Sequence, residues 1–161
     1  MDKKIKSLNS ILRIVSRLRS QGKIIGFTNG CFDILHPGHI DYLERAKKYV
    51  DVLIVGLNSD SSVRKIKGNT RPFNNQQDRA KVISSLQAVD YVVIFDTPTP
   101  YEIISQIKPD YLFKGGDWKK DKVVGKNFVE SYGGKVRILP YLKGYSTTGI
   151  AKKICTKLST A

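Results

Sequence analysis

Lys23-Ile24-Ile25-Gly26-Phe27-Thr28-Asn29-Gly30-Cys31-Phe32-Asp33-Ile34-Leu35-His36-Pro37-Gly38-His39 is the stretch on which the architecture turns. Its first six residues form a short apolar run that reads as a buried strand. A loop follows to His36, and Pro37 opens a helix carrying Ile40, Leu43, Ala46 and Lys47. Residues 51–57, Asp-Val-Leu-Ile-Val-Gly-Leu, make a second apolar strand. Two such runs joined by a helix predict parallel strands in a right-handed crossover.

The same alternation continues outward. Upstream, Ile5, Leu8, Leu12, Val15 and Leu18 recur at helical spacing up to a Gln21-Gly22 stop, so residues 1–22 are expected to form an amphipathic helix packed on the domain. Downstream, residues 61–71 read as a basic loop and residues 76–86 as a helix with Val82, Ile83 and Leu86 on its buried side. Strands are predicted at 91–95, 111–114 and 136–139. Helices are predicted near 101–107, weakly at 127–132 before Gly133-Gly134, and at 148–158. Alternating βα units predict an α/β fold: a doubly wound, Rossmann-like parallel sheet of five or so strands with helices on both faces. Ligands in such folds bind outside the carboxyl ends of the strands, near a reversal of strand order.

The chain has 161 residues, an amount that suits one domain spanning 1–161. With 40% hydrophobic and 26% charged residues it reads as a globular protein rather than a disordered chain or a membrane channel. Cys31 and Cys155 are too few for a disulfide framework or a four-thiolate zinc site, which points to a reducing cytoplasm. Arg13, Arg17 and Arg19 interrupt the first apolar stretch, so no signal peptide or membrane span is read there, although a basic amphipathic start is also shared by organelle transit peptides. Lys and Arg number 28 against 14 Asp and Glu, and the net +14 suits an anionic partner of unspecified kind.

His36 and His39, the only histidines, stand three apart where the first loop becomes a helix. Pro37 lacks an N–H at a position that does not need one, and Gly38 removes a Cβ where another group must come close. The helix N-terminus offers unpaired N–H groups and a positive dipole end, and side chains three apart share a face, so both imidazoles can serve one phosphate. On spacing alone, a helix-capping His36 and an ordinary half-buried His39 fit equally well. A zinc site would need more than these two rings and Asp33, amid an excess of Lys and Arg, and no metal ligands are assigned.

The run 28–39, with its His-x-Gly-His at 36–39, resembles the signature of the cytidylyltransferase-like nucleotidyltransferases. The Asn-Gly-Cys-Phe-Asp form is most similar to the heptose 1-phosphate adenylyltransferases of lipopolysaccharide-precursor synthesis, which occur alone or fused to a kinase. Lys114-Gly115-Gly116-Asp117-Trp118 and Ser146-Thr147-Thr148 are similar as well, and the likeness covers roughly residues 23–154. Leu142-Lys143-Gly144-Tyr145 departs from the Arg-Thr-Glu-Gly lead-in of glycerol-phosphate cytidylyltransferases, which favours adenine. Asn74-Asn75 stands where the family's loop usually contains Asn-Pro.

The resemblance implies adenylyl transfer from ATP to a sugar 1-phosphate, D-glycero-β-D-manno-heptose 1-phosphate in particular, giving ADP-heptose and pyrophosphate. It implies Mg²⁺ on the ATP phosphates and a cytoplasmic homodimer, with no membrane or nucleic-acid partner. His36, His39 and Lys67, with Lys65 in reserve, would be the catalytic donors. Asn29, Gly30, Cys31, Phe32 and Asp33 would line the nucleotide loop, with Asp33 the nearest carboxylate to any magnesium. Arg79 would reach the phosphates or the second substrate. Lys114, Gly115, Gly116 and Asp117 would face base and ribose, and Ser146, Thr147 and Thr148 the outer phosphates. Cys31 is expected to pack rather than react.

No Gly-x-x-x-x-Gly-Lys-Ser/Thr loop or Gly-x-Gly-x-x-Gly turn follows the first strand, which sets aside a P-loop kinase and a dinucleotide dehydrogenase. The rival readings are a glycerol-3-phosphate or other alcohol-phosphate cytidylyltransferase, and, from another class, a basic nucleic-acid-binding module.

Overall fold

The computed structural model describes residues 3–116 and 118–159. Strands β1 (Ile25–Gly30), β2 (Val52–Asn58), β3 (Tyr91–Phe95), β4 (Tyr111–Gly115) and β5 (Lys135–Leu139) form one sheet in the order β3-β2-β1-β4-β5. Every neighbouring pair is parallel, and Thr28 of β1 sits beside both Val55 and Phe113. This is the doubly wound sheet the alternation predicts.

Helices α1 (Leu8–Ser20), α5 (Tyr101–Ile107) and α6 (Lys126–Ser131) cover one face, where Ile11, Val15, Ile104 and Val129 pack with Phe27, Ile54 and Leu112. Helices α2 (Pro37–Lys47) and α4 (Gln76–Ser84) cover the other, where Leu43, Ala46 and Ile83 pack with Leu53, Val55 and Leu57. Successive strand residues point to opposite faces, so Leu53 and Ile54 enter different cores. A central strand covered on both sides is apolar along most of its length, and all of β2 is buried, with its one polar residue, Asn58, bonded to Ser62 Oγ. Full burial of a side chain such as Phe27 or Leu57 contributes about 1.5–3 kcal/mol.

Three local readings change. Ile5 does not belong to the first helix: residues 4–6 run beside the edge strand β3, with Lys6 N donating to Val92 O at 2.9 Å and Val92 N to Lys4 O at 3.0 Å. Helix α1 starts only after Ser7, whose Oγ accepts from Ser10 N at 3.3 Å. The basic stretch 61–71 is not all loop. Ser59 caps a helix, α3 (Asp60–Lys67), that ends at Gly68 with φ +93°; four charged side chains hid a two-turn pattern whose buried residues are only Ser62 and Val63. On α4, Val82 is 51% exposed, and the inward face instead carries Arg79, Ala80 and Ile83. A guanidinium with internal partners can take a core position that a hydrophobic count would not assign to it.

The order of strands creates the site. From β1 the chain winds outward through β2 and β3, then α5 carries it back across to β4 and β5 on the other side. The segments leaving β1 and β4 therefore diverge in opposite directions, and a crevice opens between them at the carboxyl ends of the strands. Helix α7 (Thr147–Ser159) closes the chain with its N-terminus against the loop after β1, where Thr147 Oγ1 donates to Ile34 O at 3.3 Å. No helix of the described residues is long and apolar enough to cross a membrane.

Candidate active site

Pro37 and Gly38 form the mouth of α2, and the two histidines meet above it. The rings lie 3.8 Å apart between centroids and 21° from parallel. His36 occupies the N-cap position in extended backbone, yet its side chain makes no capping bond. Gly38 is what lets the ring fold back: a Cβ there would lie 3.1 Å from His36 Cε1 and Nδ1. Among the described residues, Nδ1 of His36 and Nδ1 of His39 are buried without a hydrogen-bond partner. Burial, the neighbouring His36 and the Lys67 ammonium push His39 down to about 4, and burial lowers His36 as well. Both rings are therefore neutral at pH 7, each carrying one N–H to donate, beside amide groups of a helix N-terminus that attract anions.

The loop before them is braced from behind. Asp33 is buried, and its carboxylate accepts from Phe73 N at 2.8 Å, Asn74 N at 3.0 Å and Arg71 Nη1 at 3.4 Å. It therefore clamps the loop to residues 71–74, both of its oxygens engaged by donors. No group of three or more His, Cys, Asp or Glu suited to a metal occurs among the described residues. Arg79 is 1% exposed and donates to Asn74 O at 3.0 Å, Cys31 O at 2.6 Å and Asp60 Oδ1 at 2.7 Å. The structure thus places Arg79 under the loop with its guanidinium bonded inward, where it fixes the backbone that carries Cys31. Phe32 takes φ +43°, and a Cβ on Gly30 would lie 3.0 Å from the Phe32 ring, so Gly30 admits that turn.

Positive charge converges on this loop. Lys67, Arg79 and Lys114 all act electrostatically on the Cys31 thiol, yet burial outweighs them and holds the thiol above its ordinary value. Burial thus keeps Cys31 protonated at pH 7. Of the two candidate lysines on α3, Lys67 acts on His39 and Cys31, whereas Lys65 acts on Asp96, beyond β3. Across the crevice, Lys114 Nζ donates to Asn29 Oδ1 at 2.9 Å, tying β4 to β1, and burial pushes it down to about 8.

The far wall is glycine and aromatic. A Cβ on Gly115 would lie 2.8 Å from Tyr141 Cε1, and one on Gly116, at φ +82°, would overlap the same ring. These glycines admit an aromatic ring directly against backbone. Asp117 lies outside the described residues. Ser146 Oγ accepts from Gly149 N at 2.9 Å and caps α7; Thr148 is exposed on the first turn. Tyr145, just before it, stacks toward His36 at 6.2 Å between centroids, with a Cβ on Gly38 only 3.4 Å from Tyr145 Cβ.

The structure brings together Asn29, Cys31, His36, His39, Lys67, Lys114 and the start of α7, and sets Asp33 and Arg79 behind them. Sequence reasoning gave no site role to Tyr141, Tyr145 or Asp60. Nothing in an isolated tyrosine announces that it will cover a glycine pair, and Asp60 gains meaning only from Arg79, 19 residues away.

The pattern of the cytidylyltransferase-like family matches residues 27–153. The chain is 51% identical over 153 residues to the bifunctional protein HldE of Geobacter metallireducens, covering 95% of this chain and 31% of that protein. It is 54% identical over 151 residues to the bifunctional protein HldE of Wolinella succinogenes, covering 94% and 31%. The chain thus spans about a third of the length of these relatives. Among solved structures it resembles the lipopolysaccharide core biosynthesis protein of Thermoplasma volcanium, with TM-score 0.62 and 32% identity, covering 78% of this chain and 100% of that one. Pantoate-beta-alanine ligase of Francisella tularensis, complexed with beta-gamma ATP and beta-alanine, gives TM-score 0.62 at 20% identity over 98% of this chain and 78% of that one, a likeness of fold alone.

Proposed function

The chain belongs to the cytidylyltransferase-like family, and on that footing we propose that it transfers an adenylyl group from ATP to a sugar 1-phosphate. The acceptor in this reading is D-glycero-β-D-manno-heptose 1-phosphate, and the products are ADP-heptose, a precursor for lipopolysaccharide or related glycans, and pyrophosphate. The observation that carries it is the stacked His36–His39 pair at the mouth of α2, each ring with an unpartnered buried Nδ1, flanked by Lys67 and Lys114.

The chemistry asks little of the protein beyond placement. A phosphate oxygen of the acceptor forms a bond to the α-phosphorus of ATP as the bond to the bridging oxygen of pyrophosphate breaks. The attacking oxygen is already anionic, so no protein nucleophile or strong base is needed, and alignment and charge neutralisation account for the catalysis. His36 and His39 donate to the α- and β-phosphate oxygens. Lys67 neutralises the charge that develops on the leaving group, and the capped start of α7 receives the outer phosphates. Gly115-Gly116, which already admits the Tyr141 ring, is suited to a planar base.

ATP enters as its magnesium complex. Mg²⁺ bound with ATP would supply charge neutralisation on the phosphates, and Asp33, which accepts from Phe73 N and Asn74 N, would be the nearest carboxylate to it. In this reading residues 1–161 act as one nucleotidyltransferase unit in the cytoplasm. A homodimer is part of the reading on family likeness alone, since the apolar stripe of α1 is used within the domain. Sedimentation at working concentration tests it, and a monomer would count against it.

The deciding experiment is pyrophosphate release by the purified chain with Mg²⁺, ATP or CTP, and a panel of sugar and polyol phosphates. ATP with heptose 1-phosphate is expected to be the productive pair. Turnover with CTP and glycerol 3-phosphate instead would assign the rival activity.

A further inference from the structure

Helix α7 (Thr147–Ser159) is attached to the domain by its first turns alone. Thr147, Gly149, Ile150 and Ala151 are half-buried, whereas every residue from Lys152 to Ser159 is exposed. At 3.6 residues per turn, Ile150, Ile154 and Leu158 fall in one row, with Ala151 and Cys155 beside it. The row runs from the domain out into solvent, leaving Ile154 49% and Leu158 73% exposed. Lys153 and Lys157 border it on one side and Lys152 on the other.

This uncovered end is costly by itself. An isolated helix shorter than about 12–15 residues is marginal in water, and residues 152–159 fall short of that. Ile154, Cys155 and Thr156 are poor helix formers at its centre. Lys153 and Lys157, four apart, repel each other. A partner that covers the apolar row and supplies negative charge removes both costs.

The charge around the helix narrows the choice of partner. Between Glu130 and Ala161 the sequence holds Lys135, Arg137, Lys143, Lys152, Lys153 and Lys157, and no Asp or Glu. The start of α7 adjoins that of α2 through Tyr145 and Gly38. On α2, Asp41 is paired with Arg45 at 2.9 Å, and exposed Glu44 stands four residues before exposed Lys48. A second copy of α7 would bring lysines against lysines, with no carboxylate on the helix to pair them. A nucleic acid would take the lysines and leave Ile154 and Leu158 in water. An anionic lipid surface satisfies both features, because its phosphates receive the ammonium groups and its acyl boundary receives the apolar row.

We propose that α7 lies on an anionic membrane surface, with Ile154 and Leu158 seated at the headgroup boundary and Lys152, Lys153 and Lys157 on the lipid phosphates. This goes beyond adenylyl transfer, and it departs from the family resemblance, which implies no membrane partner. The helix has 13 residues and is too short to cross a bilayer, so the contact is peripheral.

The test sediments the full chain with vesicles of phosphatidylcholine alone, and of phosphatidylcholine and phosphatidylglycerol in equal parts, at about 0.1 M salt. Wild type is compared with Ile154→Ser/Leu158→Ser, which keeps every charge, and with Lys153→Gln/Lys157→Gln. Wild type is expected to bind only the phosphatidylglycerol vesicles, and each double variant to bind them about tenfold less tightly. In ¹⁵N spectra of the wild type, bicelles containing phosphatidylglycerol should shift the amides of residues 150–159 and spare the basic helix α1. Absence of binding to phosphatidylglycerol vesicles would overturn the proposal. So would equal binding by wild type and the serine variant, or shifts centred on α1, since both would reduce the contact to the general attraction of a +14 chain. A vesicle-free dimer that the serine variant converts to monomer would give the row to a second copy, and would overturn the proposal as well.

Discussion

Arg79 Nη1 reaches Cys31 O at 2.6 Å across 48 residues of sequence, from a side chain that solvent does not touch. A cation in that position serves the protein by holding a loop. Removing it leaves Asp60 Oδ1 and two carbonyls without their donor inside the fold. Arg79→Ala is expected to lower unfolding free energy by about 3–5 kcal/mol, the scale for breaking a buried ion pair, read from urea denaturation. Arg79→Lys should recover only part, since one ammonium cannot reach three acceptors set around a planar fork. A variant of normal stability that lost only substrate affinity would show that the guanidinium works on ligand instead.

His39→Ala is expected to reduce kcat by about 10²- to 10³-fold, the cost of one donor aimed at a transition-state oxygen, with the fold retained by circular dichroism. Gly38→Ala should behave as a milder version of the same defect. Its Cβ, 3.1 Å from the His36 ring, forces that ring to move, while an alanine in a first helical turn costs little stability. Unchanged turnover in His39→Ala would remove the histidines from the mechanism.

Lys67 and Lys65 separate by the groups that feel them. Because Lys67 acts on His39 and Cys31 while Lys65 acts on Asp96, Lys67→Ala is expected to lower kcat/KM about 10- to 100-fold. Lys65→Ala should stay within about threefold. Equal losses in the two would mean that the α3 turn acts only through general positive charge, which added salt would then screen.

Acid should destabilise the ligand-free protein through His39. Its value falls from 6.5 to about 4 on folding, so between those values the unfolded chain binds a proton that the folded chain does not. This contribution to stability is complete above about pH 6.5, declines as pH falls, and is lost by about pH 4. Lowering the pH from 7 to 5 should cost on the order of 1–2 kcal/mol through this group, and His39→Gln should flatten that slope in denaturant titrations. Nucleotide binding at pH 6 should take up a proton, visible as buffer-dependent heat in calorimetry, because a phosphate beside the ring favours its charged form.

What was readable in the chain, and what was not, divides by the range of the cause. Strand and helix order follows from local periodicity: the continuous apolar run of β2, Pro37 at a helix start and Gly133-Gly134 after another are each decided within a few residues. Short-range signals were weakest where charge overwhelmed pattern, as in α3, or where two hydrogen bonds to Val92 drew residues 4–6 into pairing with the sheet. The histidine spacing, too, was local: backbone geometry alone puts residues three apart on one face, and the two rings meet at the helix mouth.

The roles behind that mouth had no local cause. The sequence alone determined an alternating α/β chain with two imidazoles at the first helix N-terminus. Only tertiary structure decided that Asp33 binds backbone amides, that Arg79 turns inward to Cys31, Asn74 and Asp60, and that Tyr141 covers Gly115-Gly116. Each of these depends on an atom brought near by the crossing of α5 and the packing of α4, and the energy of a buried charge or polar group is set by its partners in space rather than by its neighbours in the chain.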